Sequence, residues 1–296
     1  MKKKKYEKTP RQLKKLLVDA VSKSIESPEC ALLLSGGVDS ISVGLAAKHA
    51  GKKVHAYSFH LDTHESYDYK KAREVSEYMG WLFTGVVVPT TNIPEDFRIL
   101  AKMGCSKKTH FECVFPFLYM YPKIKEKYVL TGWGADGYIG VSRKAEMRYS
   151  KPQRLWNYHE WCMRTNSKFM TWNEFRNTYF LPENCAGHLQ HEKVVTKHNK
   201  IMVNPYMEKE IKDVFYSFNW QELNIPIQKH HARTGFCEFE KFGIIKEHEN
   251  LHLGAGVDKV FGDLLNNDKI NLKNRKRMMD VCRDWYKKEQ NGILPI

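Results

Sequence analysis

The sequence predicts an α/β protein: a parallel sheet with helices on both faces, followed by a mostly α-helical C-terminal half. Three observations predict it. Short apolar runs alternate with segments of helical period up to about residue 150, the pattern of βαβ units with right-handed crossovers. Two of those apolar runs end in glycine turns, at Ser35-Gly-Gly37 and Thr131-Gly-Trp-Gly134. Beyond residue 150 strand signals thin out and aromatic-rich helical segments take over.

Taken in order, residues 10–26 are expected to form a helix. Pro10 suits a first turn, and Leu13, Leu16, Leu17, Ala20, Val21 and Ile25 recur at helical spacing. Residues 1–9 ahead of it are expected to be a basic, flexible tail. A buried strand at 31–34 precedes a helix at 39–50 that Gly51 closes, and Lys53–Phe59 is a second strand. A helix from Asp68 to Met79 stops at Gly80, and a third strand, Trp81–Val88, stops at Pro89. Phe115–Lys127 is expected to be helical and Tyr128–Thr131 to be the fourth strand. Leu155–Phe169, Trp172–Phe180 and Lys209–Trp220 are expected helices of the second half. With no internal repeat and no Gly/Ser/Pro linker, one domain is expected over 10–296. Its α/β core spans about 26–150 and its helical part 151–296.

The 296 residues suffice for a sizeable core. No apolar run has the length of a membrane span, and Leu16–Val21 is too short and too interrupted by Asp19 for a signal peptide. Seven Cys, scattered and without a C-x-x-C pair, argue for reduced thiols and a cytoplasmic location rather than a disulfide framework. The net charge of +14 is concentrated at the ends. Residues 1–15 carry eight Lys or Arg against Glu7, and residues 269–288 carry eight against Asp280 and Asp284. Such ends suit a polyanion such as nucleic acid, and equally a solvated tail plus a surface helix.

The run Ala31-Leu-Leu-Leu-Ser-Gly-Gly-Val-Asp-Ser40 carries the chemistry. A strand, a glycine turn and a helix N-terminus bring free N–H groups and the helix dipole together as a phosphate cradle. No Lys follows the glycines, which excludes the nucleoside-triphosphate loop G-x-x-x-x-G-K-[ST]. Asp39 instead stands where it could hold magnesium against bound phosphates. The motif resembles the pyrophosphate (PP) loop of N-type ATP pyrophosphatases, which cleave ATP between its α- and β-phosphates. Leu130-Thr-Gly-Trp-Gly-Ala-Asp-Gly-Tyr-Ile-Gly140 repeats the theme, with Asp136 expected at the same sheet edge as Asp39.

Together the two motifs resemble the synthetase domain of the asparagine synthetase family, which includes the β-lactam synthetases and has an adenine nucleotide alpha hydrolase-like fold. Asn204-Pro-Tyr-Met-Glu-Lys-Glu210 and Ile227-Gln-Lys-His-His-Ala-Arg233 are similar to further family segments. The resemblance implies ATP and magnesium as cofactors. It implies that Ser35, Gly36, Gly37, Val38, Asp39 and Ser40 hold the departing pyrophosphate, that Asp39 and Asp136 bind the metal, that Leu34 and Phe59 grip the adenine, and that Gly132 lies against the ribose. The implied reaction is adenylation of a small-molecule carboxylate, then displacement of AMP by ammonia or an amine.

The chain also departs from the family. Lys2 stands where the nucleophilic Cys of a glutaminase domain would follow Met1, so the nitrogen is expected from ammonia or another amine. Trp133 and Gly137 replace the two Glu of the family's second loop. Glu112 is a candidate substitute carboxylate for the acyl-transfer step, and also suits a structural role. Trp133 could stack on a substrate ring or belong to the core. Of Lys229, Lys246 and Lys259, Lys229 ranks first as the lysine that contacts phosphate. Cys185, His188 and His191 could offer three ligands to zinc, though they complete no four-ligand site. Trp156, Trp161, Trp172 and Phe180 suit either a core or an aromatic-walled pocket. Two other readings stay open: adenylation of a nucleobase for nucleic-acid modification, and an ATP-binding module with impaired catalysis. So does a homo-oligomer.

Overall fold

The chain opens on helix α1 (Lys2–Ser24), followed by β1 (Glu29–Leu33), α2 (Val38–His49), β2 (Lys53–Leu61), α3 (Tyr67–Met79) and β3 (Leu82–Val88). These form two consecutive βαβ units. This is a computed structural model, and it describes residues 2–140, 143–166, 168–185, 187–245, 251–260, 284, 286–288 and 290–292. Three short helices, α4 (Ile93–Lys102), α5 (Lys108–Val114) and α6 (Phe117–Met120), lead to β4 (Tyr128–Leu130). Then come α7 (Ala135–Tyr138), α8 (Arg143–Tyr149), α9 (Pro152–Thr165), α10 (Trp172–Tyr179), α11 (His188–Lys197) and β5 (Ile201–Val203). Helices α12 (Lys209–Tyr216), α13 (Trp220–Asn224), α14 (His230–Gly235) and α15 (Leu251–Gly254) follow.

All five strands pair in parallel, in the order β3-β2-β1-β4-β5. Side chains on a strand alternate between faces, and here each face meets its own core. Leu32, Ala56 and Leu130 pack into one cluster with Leu13, Leu17 and Ile41. Their neighbours Ala31, Tyr57 and Val129 pack into the other with Phe97, Phe111 and Val194. Helices therefore cover both faces, as the sequence predicts, and the strands read as continuous apolar runs because both sides are buried.

The chain runs outward from β1 to β3 and then returns to place β4 on the other side of β1. The strand order reverses between β1 and β4, where crevices at the carboxyl edge of such sheets take ligands. With Ala31 paired to Val129 and Leu32 to Leu130, the loops after these strands emerge side by side.

Four expectations need correction. Helix α1 begins at Lys2 rather than at Pro10, so residues 2–9 extend the helix instead of forming a tail. The helix expected at 115–127 is broken into α6 and a 3-10 turn over Tyr121–Lys123. Pro116 and Pro122 lack the N–H that a continuous helix needs. The helix expected over Lys209–Trp220 stops at Tyr216, because Asn219 caps a new helix in a reciprocal box with Glu222. The helical half also supplies a strand: β5 extends the sheet beyond β4, so the α/β core does not end at residue 150. The basic stretch 269–288 lies largely outside the described residues. No helix among those described is long and apolar enough to cross a membrane.

Candidate active site

The β1–α2 turn is held by its own hydroxyls. Ser40 Oγ accepts from the Ser35 amide at 3.1 Å and donates to the Gly37 carbonyl at 3.2 Å, and it lies 3.0 Å from Ser35 Oγ. Gly36 has φ +72°, and a Cβ there would meet the Asp68 carbonyl at 2.7 Å. Only glycine takes that backbone against the start of α3 without strain. No side chain caps α2, which leaves its first-turn amides facing the crevice as donors for an anion.

The β4–α7 turn lies directly against this loop. A Cβ on Gly132 would come within 2.8 Å of the Cβ of Asp39 and of the amide nitrogen of Ser40, so the second turn needs glycine for close approach. Thr131 Oγ1 donates to Asn204, just after β5, and accepts from the Trp133 amide at 3.1 Å. Behind Asp39, the buried Tyr206 hydroxyl pairs with Ser42 Oγ at 2.5 Å. Burial, and then the Asp39 carboxylate, hold that phenol protonated, far above the usual tyrosine range.

Asp39 and Asp136 are joined by Lys229, whose Nζ donates to Asp39 Oδ2 and, at 2.6 Å, to Asp136 Oδ1. The lysine side chain is 4% exposed and the carboxylates 20% and 24%. Burial pulls the lysine down, but the carboxylates outweigh it and its pKa rises. Lys229 itself adopts φ +56° immediately before α14, a costly conformation for a residue with a side chain. Its stem passes over Gly140, where any Cβ would collide with Lys229 Cε.

These elements surround a cavity of about 360 Å³. Leu34, Ser35, Gly36, Gly37, Val38, Asp39, Ser40, Phe59, Gly132 and Lys229 all line it. Asp136 stands behind Lys229. Glu112 does not line the cavity: it is fully buried on α5 and paired with Lys108, while the next residue, Cys113, faces the space. Lys259 is exposed on the surface, and Lys246 lies outside the described residues.

Sequence reasoning missed how the remaining wall is built. Trp133 stacks on His188, ring centroids 3.6 Å apart and 6° from parallel. One turn along α11, His191 stacks on Phe117 at 3.8 Å and 2°, and its Nε2 is hydrogen-bonded to the Tyr121 hydroxyl at 2.8 Å. Burial, and then His188, lower His191 to about 3, so it is neutral. Burial lowers His188 too, against the pull of Glu192. Cys185, His188 and His191 do not come together as zinc ligands, because Cys185 donates to the Tyr179 carbonyl and the histidines are engaged in stacks. Among the described residues no group of three or more His, Cys, Asp or Glu forms a metal cluster. The His-x-x-His spacing on α11 was the available signal, and it marked a shared helix face. Trp172 and Phe175 belong to the core, Phe180 packs against it, and Trp156 and Trp161 are exposed.

A glycine turn at an uncapped helix N-terminus, beside two carboxylates at the switch point of a parallel sheet, is the kind of arrangement that can receive an anionic ligand. The asparagine synthase family model matches residues 12–235, and the chain belongs to that family. No curated protein sequence matches it. The solved structures similar to it include the following two. One is a predicted subunit of a tRNA methyltransferase from Methanocaldococcus jannaschii, at 13% identity and TM-score 0.28, covering 68% of this chain and 97% of that one. The other is an NH3-dependent NAD synthetase from Campylobacter jejuni, at 13% identity and TM-score 0.29, covering 98% of each chain.

Proposed function

We propose that the protein is an ATP-dependent ligase that adenylates a carboxylate, releasing pyrophosphate, and then forms an amide with release of AMP. One observation carries the reading: the Ser35–Ser40 loop and the Asp39/Asp136 pair meet around one buried cation, Lys229. Carboxylates that share an ammonium suit magnesium, a hard cation that takes carboxylate and phosphate oxygens. Magnesium would neutralise charge on the departing phosphates.

The chain's own groups divide the remaining work. The Ser35–Gly37 turn and the uncapped start of α2 receive the β- and γ-phosphates. Leu34 and Phe59 bound the adenine end, and Gly132 leaves room for the ribose. Lys229 gives up the carboxylates and turns its ammonium to the phosphates, so that its charge is spent on the transition state. A carboxylate oxygen attacks the α-phosphorus as the bond to pyrophosphate breaks. The amine nitrogen then attacks the acyl carbon, AMP departs with the acyl–oxygen electron pair, and the amine proton passes to solvent. Glu112, buried against Lys108, has no part in this scheme. Six free cysteines among the described residues support a reducing, cytoplasmic setting.

The test is incubation with ATP, magnesium and a metabolite extract, followed by mass spectrometry of whatever becomes adenylated or amidated. ATP binding without AMP from any mixture would leave only the binding-module reading. A second reading, adenylation of a nucleobase, is favoured by the basic start of α1, with eight Lys or Arg in residues 1–15. It requires tRNA or DNA binding that weakens steeply with salt, and its absence in a filter-binding titration rejects it.

A further inference from the structure

The cavity has two chemically distinct sides. One holds the phosphate loop, Lys229 and Arg233; the other is the aromatic wall of Trp133, His188, His191 and Phe117. That wall is rigid. Gly187, φ +74°, starts α11 so close to α5 that a Cβ would meet Val114 Cγ2 at 2.7 Å. The Tyr121 hydroxyl fixes the ring of His191, and both stacks are within 6° of parallel.

The wall also begins at the reacting centre. Trp133 lies between Gly132, in contact range of Asp39, and Asp136, the other carboxylate under Lys229. A molecule resting on Trp133 therefore has its near end beside the site where the α-phosphate would sit. Trp133 and Phe117 carry no charge, burial lowers both histidines even with His188 3.1 Å from Glu192, and the described lining cations, Lys229 and Arg233, both sit at α14. Asp68 lines the cavity beside Gly36, on the phosphate-loop side. An aliphatic diacid would find no cation on the wall for its second carboxylate. Flat rings match stacked rings by face and edge contact, and apolar walls with few polar groups typify small-molecule pockets.

We propose that the wall of Trp133, His188, His191 and Phe117 binds the flat, uncharged ring of an aromatic carboxylic acid, the acid being the group adenylated. This rests on the ligase reading above and specifies its acceptor.

The test pairs two measurements on the full chain. Calorimetry with naphthoate, benzoate and phenylacetate, against aspartate and glutamate, reads ring binding. ATP–pyrophosphate exchange with the same acids and magnesium reads adenylation. The aromatic acids are expected to bind and to drive exchange in preference to aspartate. Trp133→Leu is expected to weaken naphthoate about tenfold, and Trp133→Phe to restore most of that loss. Phe117→Leu is the second variant should Trp133→Leu not fold, with Mg·ATP binding as the check on folding. Aromatic acids that bind through Trp133 without exchange leave the ring site standing and overturn the ligase reading. Exchange driven by aspartate, or naphthoate binding indifferent to both variants, overturns the ring site and leaves the ligase. Exchange driven only by a nucleic acid, or no binding of any aromatic acid, also overturns it.

Discussion

Lys229 Nζ donates to Asp136 Oδ1 at 2.6 Å, and the same ammonium also holds Asp39. One buried cation thus occupies the position between two carboxylates on the helices that follow neighbouring strands, Asp39 on α2 after β1 and Asp136 on α7 after β4. Loop closure places the three groups; their charges keep them there.

Removing that cation should expose two like charges to one another. Lys229→Met is expected to lower stability without magnesium by about 3 kcal/mol, the low end for a broken buried pair, because both carboxylates keep some water. Magnesium should restore much of the loss through binding linkage. A thermal-denaturation titration checks this: magnesium should raise the melting temperature more in Lys229→Met than in the wild type. Equal shifts contradict a shared cation site.

Gly140→Ala places a methyl group where the stem of Lys229 runs. The lysine must withdraw from Asp39 and Asp136 while the surrounding fold stands. Turnover is expected to fall up to about 100-fold, the cost of misplacing a catalytic group by about 1 Å, with a loss of stability no larger than that of Lys229→Met. Steady-state AMP formation beside urea denaturation separates these effects.

Gly36→Ala combines a forbidden backbone with a collision. Its φ of +72° disfavours any Cβ by roughly 1–2 kcal/mol, and the Asp68 carbonyl stands 2.7 Å from where that Cβ would lie. The loop must open, and calorimetry should find ATP binding lost while circular dichroism keeps its helical signal.

Much of this was legible in the sequence where local and global signals agree. Strands β1 to β4 announced themselves as apolar runs, and Ser35–Ser40 and Asp136 fell where strand–turn–helix patterns put them. Strand β5 was illegible: Ile201-Met-Val203 is three residues long, and its pairing with Tyr128–Leu130 is a long-range fact. The pairing of Glu112 with Lys108 one turn earlier on α5 is a local spacing, but the burial that turns it away from the cavity is set by packing and could not be read. The aromatic wall depends on partners far apart in the chain, Phe117 with His191 and Trp133 with His188.

The wall carries a pH signature. His191 is lowered from 6.5 to about 3 by burial, then by His188. The unfolded chain therefore binds a proton that the folded one refuses. The stability from neutral His191 is complete above pH 6.5 and is lost as pH falls toward 3. His191→Phe should flatten the acid limb of a stability–pH profile measured by chemical denaturation. An unchanged limb assigns the acid sensitivity to other groups.

The most direct test of the central claim is phosphorus NMR of ATP turned over with magnesium and a mixture of free carboxylates and ammonia. The site predicts AMP and pyrophosphate in equal amounts, with Asp136→Asn slowing their appearance about 100-fold or more. ADP and inorganic phosphate, or ATP bound and left intact, would contradict it.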